Sequence, residues 1–85
     1  MSNKYLNEND YFSSADLSLI AALMSFGYSI EAIDRADGSR ATFYIERDKF
    51  LDEKVQAFWS HSLTVDPLAY FNCLKEAKTR LYNSG

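Results

Sequence analysis

The stretch Ser29–Glu46, SIEAIDRADGSRATFYIE, decides the fold. Asp37-Gly38 is a strong signal for a two-residue hairpin turn, because both central positions of such a turn take positive φ. Centring the turn there pairs residues whose numbers sum to 75. One face then carries Ile30 opposite Ile45 and Ala32 opposite Phe43, a core face. The other carries Ser29 with Glu46, Glu31 with Tyr44, Ile33 with Thr42, and Arg35 with Arg40. Apolar pattern and turn chemistry thus point to one register. Two strands alone are marginal, so helices must cover one face, and at least one strand edge stays open for pairing with a second chain.

Helices are written on both sides of this hairpin. Upstream, Phe12-Ser13-Ser14-Ala15-Asp16-Leu17 reads as a helix start, with Ser13 as N-cap, Asp16 completing a capping box, and Phe12 stapling Leu17. From Leu17 to Phe26 nearly every side chain is apolar, and Gly27 is placed to end the helix with positive φ. Ser18, Ala22 and Ser25 form a narrow strip of small residues, facing water, a neighbouring helix, or a second copy in a homodimer. Downstream, a helix is expected from about Asp48 to Ser60, with Leu51, Val55 and Phe58 inward and Phe50 and Trp59 on its flanks. Leu63 and Val65 are expected to plug the following connection.

The last helix has the clearest start: Asp66 caps it and Pro67 occupies the first turn, where a missing N–H costs nothing. Tyr70, Phe71, Leu74, Ala77 and Leu81 are expected on its inner face. Phe71, Lys75, Lys78 and Tyr82 run along one flank. That flank reads either as lysine stems lying over apolar neighbours or as a surface for base stacking with phosphate contact. The expected fold class is α+β: helix, two-stranded antiparallel hairpin and two helices (αββαα), with the helices on one face of the hairpin. Residues 1–10, polar and without periodicity, are expected to be a flexible tail, and residues 11–85 the single small domain.

Composition narrows the function classes. With 47% hydrophobic residues the chain has the material for a core. No apolar run approaches the ~20 residues of a membrane span. The start Met-Ser-Asn-Lys lacks a signal peptide's apolar centre, so a cytoplasmic protein is expected. Charge is uneven: residues 1–46 sum to −4 and residues 47–85 to +1, within a net −3. An acidic chain is a poor general binder of nucleic acid, because phosphate attraction needs clustered positive charge.

Chemistry-bearing constellations are sparse. Cys73 cannot form an internal disulfide, and with the single His61 it is too little for a zinc site or a convincing catalytic dyad. No glycine loop cradles phosphate, and the carboxylates are explained by turns and helix starts. The chain is therefore expected to be non-enzymatic, without metal or cofactor. The opposed Arg35 and Arg40 need relief by an anionic group. Asp37 or splaying into water supplies it on one reading. On the other, the hairpin tip is a partner-binding site made of Arg35, Arg40, Ile33, Tyr44, Glu31, Asp34 and Asp37.

The residues Ser14 with Asp16-Leu17, Ala21–Leu23, Gly27, Arg40-x-x-Phe43-x-Ile45, Val55 with Phe58-Trp59, and Leu74–Tyr82 ending in Lys-x-Arg-Leu-Tyr resemble an uncharacterised family of small bacterial and phage proteins, a domain of unknown function. The resemblance covers about residues 11–82. It implies a fold and a microbial or mobile-element setting, and carries over no active site. Two readings of function follow. One is a protein-binding accessory or inhibitor acting by surface occupation, for instance a phage-encoded antagonist of a host nucleoprotein complex. The other is a nucleic-acid-binding module using Arg35, Arg40, Lys75, Lys78 and Arg80.

Overall fold

The computed structural model describes residues 10–35 and 40–83. The order of elements is β1 (Tyr11–Ser14), α1 (Leu17–Met24), β2 (Ile30–Asp34), β3 (Thr42–Glu46), α2 (Leu51–Trp59) and α3 (Pro67–Asn83). The fold is α+β as expected, but the sheet has three antiparallel strands in the order β1-β3-β2 rather than two. The added strand is the segment read as a helix start. Phe12 pairs with Ile45 and Ser14 with Phe43, so Ser13 sits in extended backbone inside a ladder and cannot cap a helix. Asp10, placed in the expected tail, is tied to the domain: its carbonyl accepts the Arg47 amide at 2.8 Å.

Asp16 is the true cap of α1. Its Oδ1 accepts the amides of Ser18 at 3.0 Å and Leu19 at 3.3 Å and the Ser18 hydroxyl at 2.7 Å. These bonds hold its carboxyl below the usual range, the Ser18 hydroxyl contributing most. At the other end Gly27 does terminate the helix, with φ of 105°. Its amide reaches the Met24 carbonyl at 2.9 Å and the Tyr28 amide reaches the Leu23 carbonyl at 3.4 Å, the paired bonds of a Schellman ending. Nothing lies within 4 Å of where a Cβ would stand, so backbone conformation and not crowding calls for glycine here.

The hairpin register is half as expected. Ile30 pairs with Ile45, but an irregularity between Ile30 and Ala32 shifts the rest by one residue: Ala32 faces Tyr44, Ile33 faces Phe43, and Asp34 faces Thr42. The extra residue on β2 exchanges the faces beyond it. Ile33 therefore turns inward against the core, contrary to its expected exposure, and Ala32 turns outward. The Asp37-Gly38 turn lies outside the described residues.

The core is assembled from Leu19, Ile20, Leu23 and Met24 of α1, Ile30, Phe43 and Ile45 of the sheet, Leu51 of α2 and Ala77 of α3. Helix α1 lies at its centre: Leu19–Met24 are all buried. The strip Ser18, Ala22, Ser25 does not present a free face. Ala22 is 3% exposed, and the Ser25 hydroxyl donates back to the Ala22 carbonyl at 2.6 Å. Around this centre α2 contributes Leu51, with Val55 and Phe58 packed beside it. α3 starts as expected, the Asp66 carboxylate accepting the Ala69 amide at 2.8 Å. Its inner side is Cys73, Ala77 and Leu81, whereas Phe71, expected inward, is exposed. Among the described residues no helix is long and apolar enough to cross a membrane.

Candidate functional site

The described hairpin-tip residues are drawn to different surroundings. Arg35 donates to the Leu81 carbonyl of α3 at 2.8 Å, placing its cation on a helix C-terminus, where it complements the free carbonyls. Continuing the observed register by one step would set it against Ala41, not Arg40, so the like-charge pair is not imposed by the ladder. Arg40 is exposed. Ile33 packs inward, and Tyr44 stands half-buried on the outer sheet face between Ser13 and Ala32. Asp34 closes the ladder opposite Thr42, and Asp37 lies outside the described residues.

Glu31 belongs instead to a region the sequence did not single out, the turn from α1 into β2. Three open grooves of about 270, 270 and 250 Å³ meet at Gly27 and Tyr28. The first is aromatic, with Phe26, Tyr28 and Phe50 around Lys54. The Lys54 ammonium lies 4.9 Å from the Phe26 ring centroid and 6.0 Å from that of Phe50, so a cation already occupies part of this apolar surface. The second groove is acidic, with Glu31, Glu46 and Asp48 beside Arg47. Arg47 is itself paired with Asp52 and lies 5.9 Å from the Phe12 ring. The third runs between the end of α1 and α3, past Met24, Ile30, Cys73, Glu76 and Arg80.

Tyr28 and Asp48 hold this junction together. The Tyr28 hydroxyl donates to Asp48 Oδ1 at 2.5 Å, and the same oxygen accepts the Phe50 amide at 3.0 Å in the turn that leads into α2. Burial, and then the bond to Asp48, push the Tyr28 phenol up to about 12. The Tyr28 bond, with help from the Phe50 and Leu51 amides and Lys54, lowers the Asp48 carboxyl. Each partner is thereby fixed in one protonation state at neutral pH. That suits a fastener between two elements and opposes proton transfer, which needs a group poised near the working pH. A tyrosine just after a C′ glycine and an aspartate just before a helix were the available signals.

Cys73 and His61 line different grooves, Cys73 beside α1 and β2, and His61 with Ala22, Phe58, Leu63, Val65 and Tyr70. Burial, then the Glu76 charge, push the Cys73 thiol up, away from the reactive thiolate. Among the described residues no His, Cys, Asp and Glu group is placed to hold a metal.

The flank Phe71, Lys75, Lys78 and Tyr82 lies exposed along α3. On the outer side of α3, Leu68 is 68%, Phe71 54% and Tyr82 77% exposed. The Lys75 ammonium lies 5.1 Å from the Phe71 ring centroid, and Lys78 is exposed beside them. On α2, Trp59 is 57% exposed with its ring edge-on to Phe58 at 4.9 Å.

A family model for a domain of unknown function, DUF5659, matches residues 9–83, and the chain belongs to that family. No curated protein and no solved structure matches it.

Proposed function

We propose that this member of the family is a small non-catalytic protein-binding module that works by occupying its partner's surface. The observation that carries this reading is the set of large apolar side chains left outside the core: Phe26, Phe50, Trp59, Leu68, Phe71 and Tyr82. A domain this small has little core to spare, and it withholds all of these but Trp59 on two particular surfaces, the Phe26/Phe50 groove and the outer side of α3. Apolar groups gathered in this way are what protein interfaces use as anchors. In its finer form the module is a phage or mobile-element accessory or inhibitor directed at a host nucleoprotein complex. Glu31, Glu46 and Asp48, gathered along one groove, then stand in for nucleic-acid phosphates.

The test is capture by the tagged full chain from a lysate of the encoding cells or their host, with and without nuclease. A protein retained after nuclease, and lost when Phe26 and Phe50 become Ser or Glu31 becomes Lys, supports the reading. Release of everything by nuclease overturns it. The second reading, a nucleic-acid-binding module, draws on Lys75 and Lys78 beside Phe71 and Tyr82. Its other cations are dispersed: Arg35 is bonded to α3, and Arg80 lines a groove with Glu76. It requires steeply salt-dependent binding of an oligonucleotide, weakened by removing the two lysines.

A further inference from the structure

Helix α3 carries two stripes at the same spacing. The inner one, Tyr70, Leu74, Ala77 and Leu81, is turned to the domain, with Ala77 fully buried. The outer one is Leu68, Phe71, Lys75, Lys78 and Tyr82, and it advances by alternating steps of three and four residues. That is the a/d repeat of a coiled-coil seam, the pattern by which one helix receives the side chains of another. It runs for about 21 Å, the length of two heptads. Leu68 and Tyr82 are the two most exposed large hydrophobics among the described residues and Phe71 is more than half exposed, so the seam is formed and uncovered.

Charge then selects the occupant. The third and fourth of the five seam positions are lysines, Asn72 and Thr79 border them, and the helix's one carboxylate, Glu76, lies on the side facing Cys73 and Arg80. A second copy of the chain fits badly: parallel pairing in register, or antiparallel pairing centred on the seam, brings Lys75 against its own counterpart. A polyanion meets only two cations here, on a domain of net charge −3. An acidic helix satisfies both halves of the pattern.

We propose that the outer seam of α3 docks an acidic amphipathic helix of a protein partner. Apolar side chains of that helix pack on Leu68, Phe71 and Tyr82, and its carboxylates meet Lys75 and Lys78. The inference rests on the protein-binding reading and names the chemistry of one of its two surfaces.

The test uses two designed helical peptides with Leu at the outer seam positions, one carrying Glu and the other Lys at the two central positions. Fluorescence anisotropy against the full chain reads their binding, beside an oligothymidylate and vesicles containing phosphatidylserine. The acidic peptide binds the full chain at least about tenfold more tightly than the basic one, and the double variant K75E/K78E reverses that preference. Phe71→Ser weakens the acidic peptide while the circular dichroism melt stays in place. Equal binding of the two peptides, binding of neither, preference for the oligonucleotide or the vesicles, or dimerisation that K75E/K78E leaves unchanged each overturns the proposal. A partner captured after nuclease treatment that ignores Phe71→Ser and is lost with the Phe26 and Phe50 variants leaves the protein-binding reading standing and removes only the seam.

Discussion

Helices α1 and α3 meet across the core, yet they are used in opposite ways. α1 is eight residues long and buries everything from Leu19 to Met24; α3 is seventeen residues long and fully buries only Ala77. An isolated eight-residue helix would not hold in water. α1 exists because the sheet, α2 and α3 close around it, and its sequence is accordingly fixed by packing. α3 has the length and cap to be a better helix on its own, and it gives the domain only one side. In a small domain one helix can be central and the rest must share themselves with the exterior. Burial therefore separates residues that hold the fold from residues available to a partner.

The sharpest way to break this contrast is a truncation at the centre. Leu23→Ala removes a side chain with no exposure and is expected to cost about 2–5 kcal/mol in urea unfolding, enough to consume much of a small domain's stability. On the shared helix the inner stripe should answer to volume. Ala77→Leu forces a larger side chain into a filled site against α1 and is expected to cost about 1–3 kcal/mol.

The N-cap of α1 comes next. Asp16→Ala removes the acceptor of the Ser18 and Leu19 amides, for about 1 kcal/mol. Because the folded Asp16 carboxyl lies below its unfolded value, this stabilisation is present above the ordinary carboxylate range and is lost as pH falls through the folded value. Urea titrations between neutral and acid pH should show a shallower acid limb for Asp16→Ala. The smallest effect belongs to the outer seam. Phe71→Ser and Tyr82→Ser should each move stability by no more than about 0.5 kcal/mol, and a larger loss would mean that α3 has no free side.

How far the sequence disclosed these roles varies along the chain. The β2–β3 strand pair was legible from its apolar alternation, and the Gly27 ending and the Asp66-Pro67 start because each rests on local backbone chemistry. β1 was not. Tyr11-Phe12-Ser13-Ser14 fits a cap as well as an edge strand, and the choice is made by β3, far along the chain. The irregular register at Glu31 was hidden for a related reason: apolar alternation matched Ile30 to Ile45, far from the turn, and an extra residue between there and the turn, which shifts the pairs from Ala32 to Asp34, leaves no local mark. That one step moved Ile33 inward, off the outer face that carries Tyr44. The Phe26/Tyr28/Asp48/Phe50 junction was visible only as separate helix ends, because it is made where two of them meet. The α3 flank was legible throughout, being written within one helix.

The position of β3 between β1 and β2 also sets an order of assembly. β2 and β3 are joined by a short connection and can pair early, whereas β1 must wait until α1 and β2 have been laid down between it and its partner. Closing that longer loop is entropically slower, and the strand it adds is four residues long. Native-state hydrogen exchange should therefore find the amides of Phe12 and Ser14, and those of Ile45 and Phe43 that pair with them, opening through a low-energy local excursion, while the amide of Tyr44, which points to β2, exchanges only with global unfolding. The sheet would then be completed last by the strand that the chain makes first.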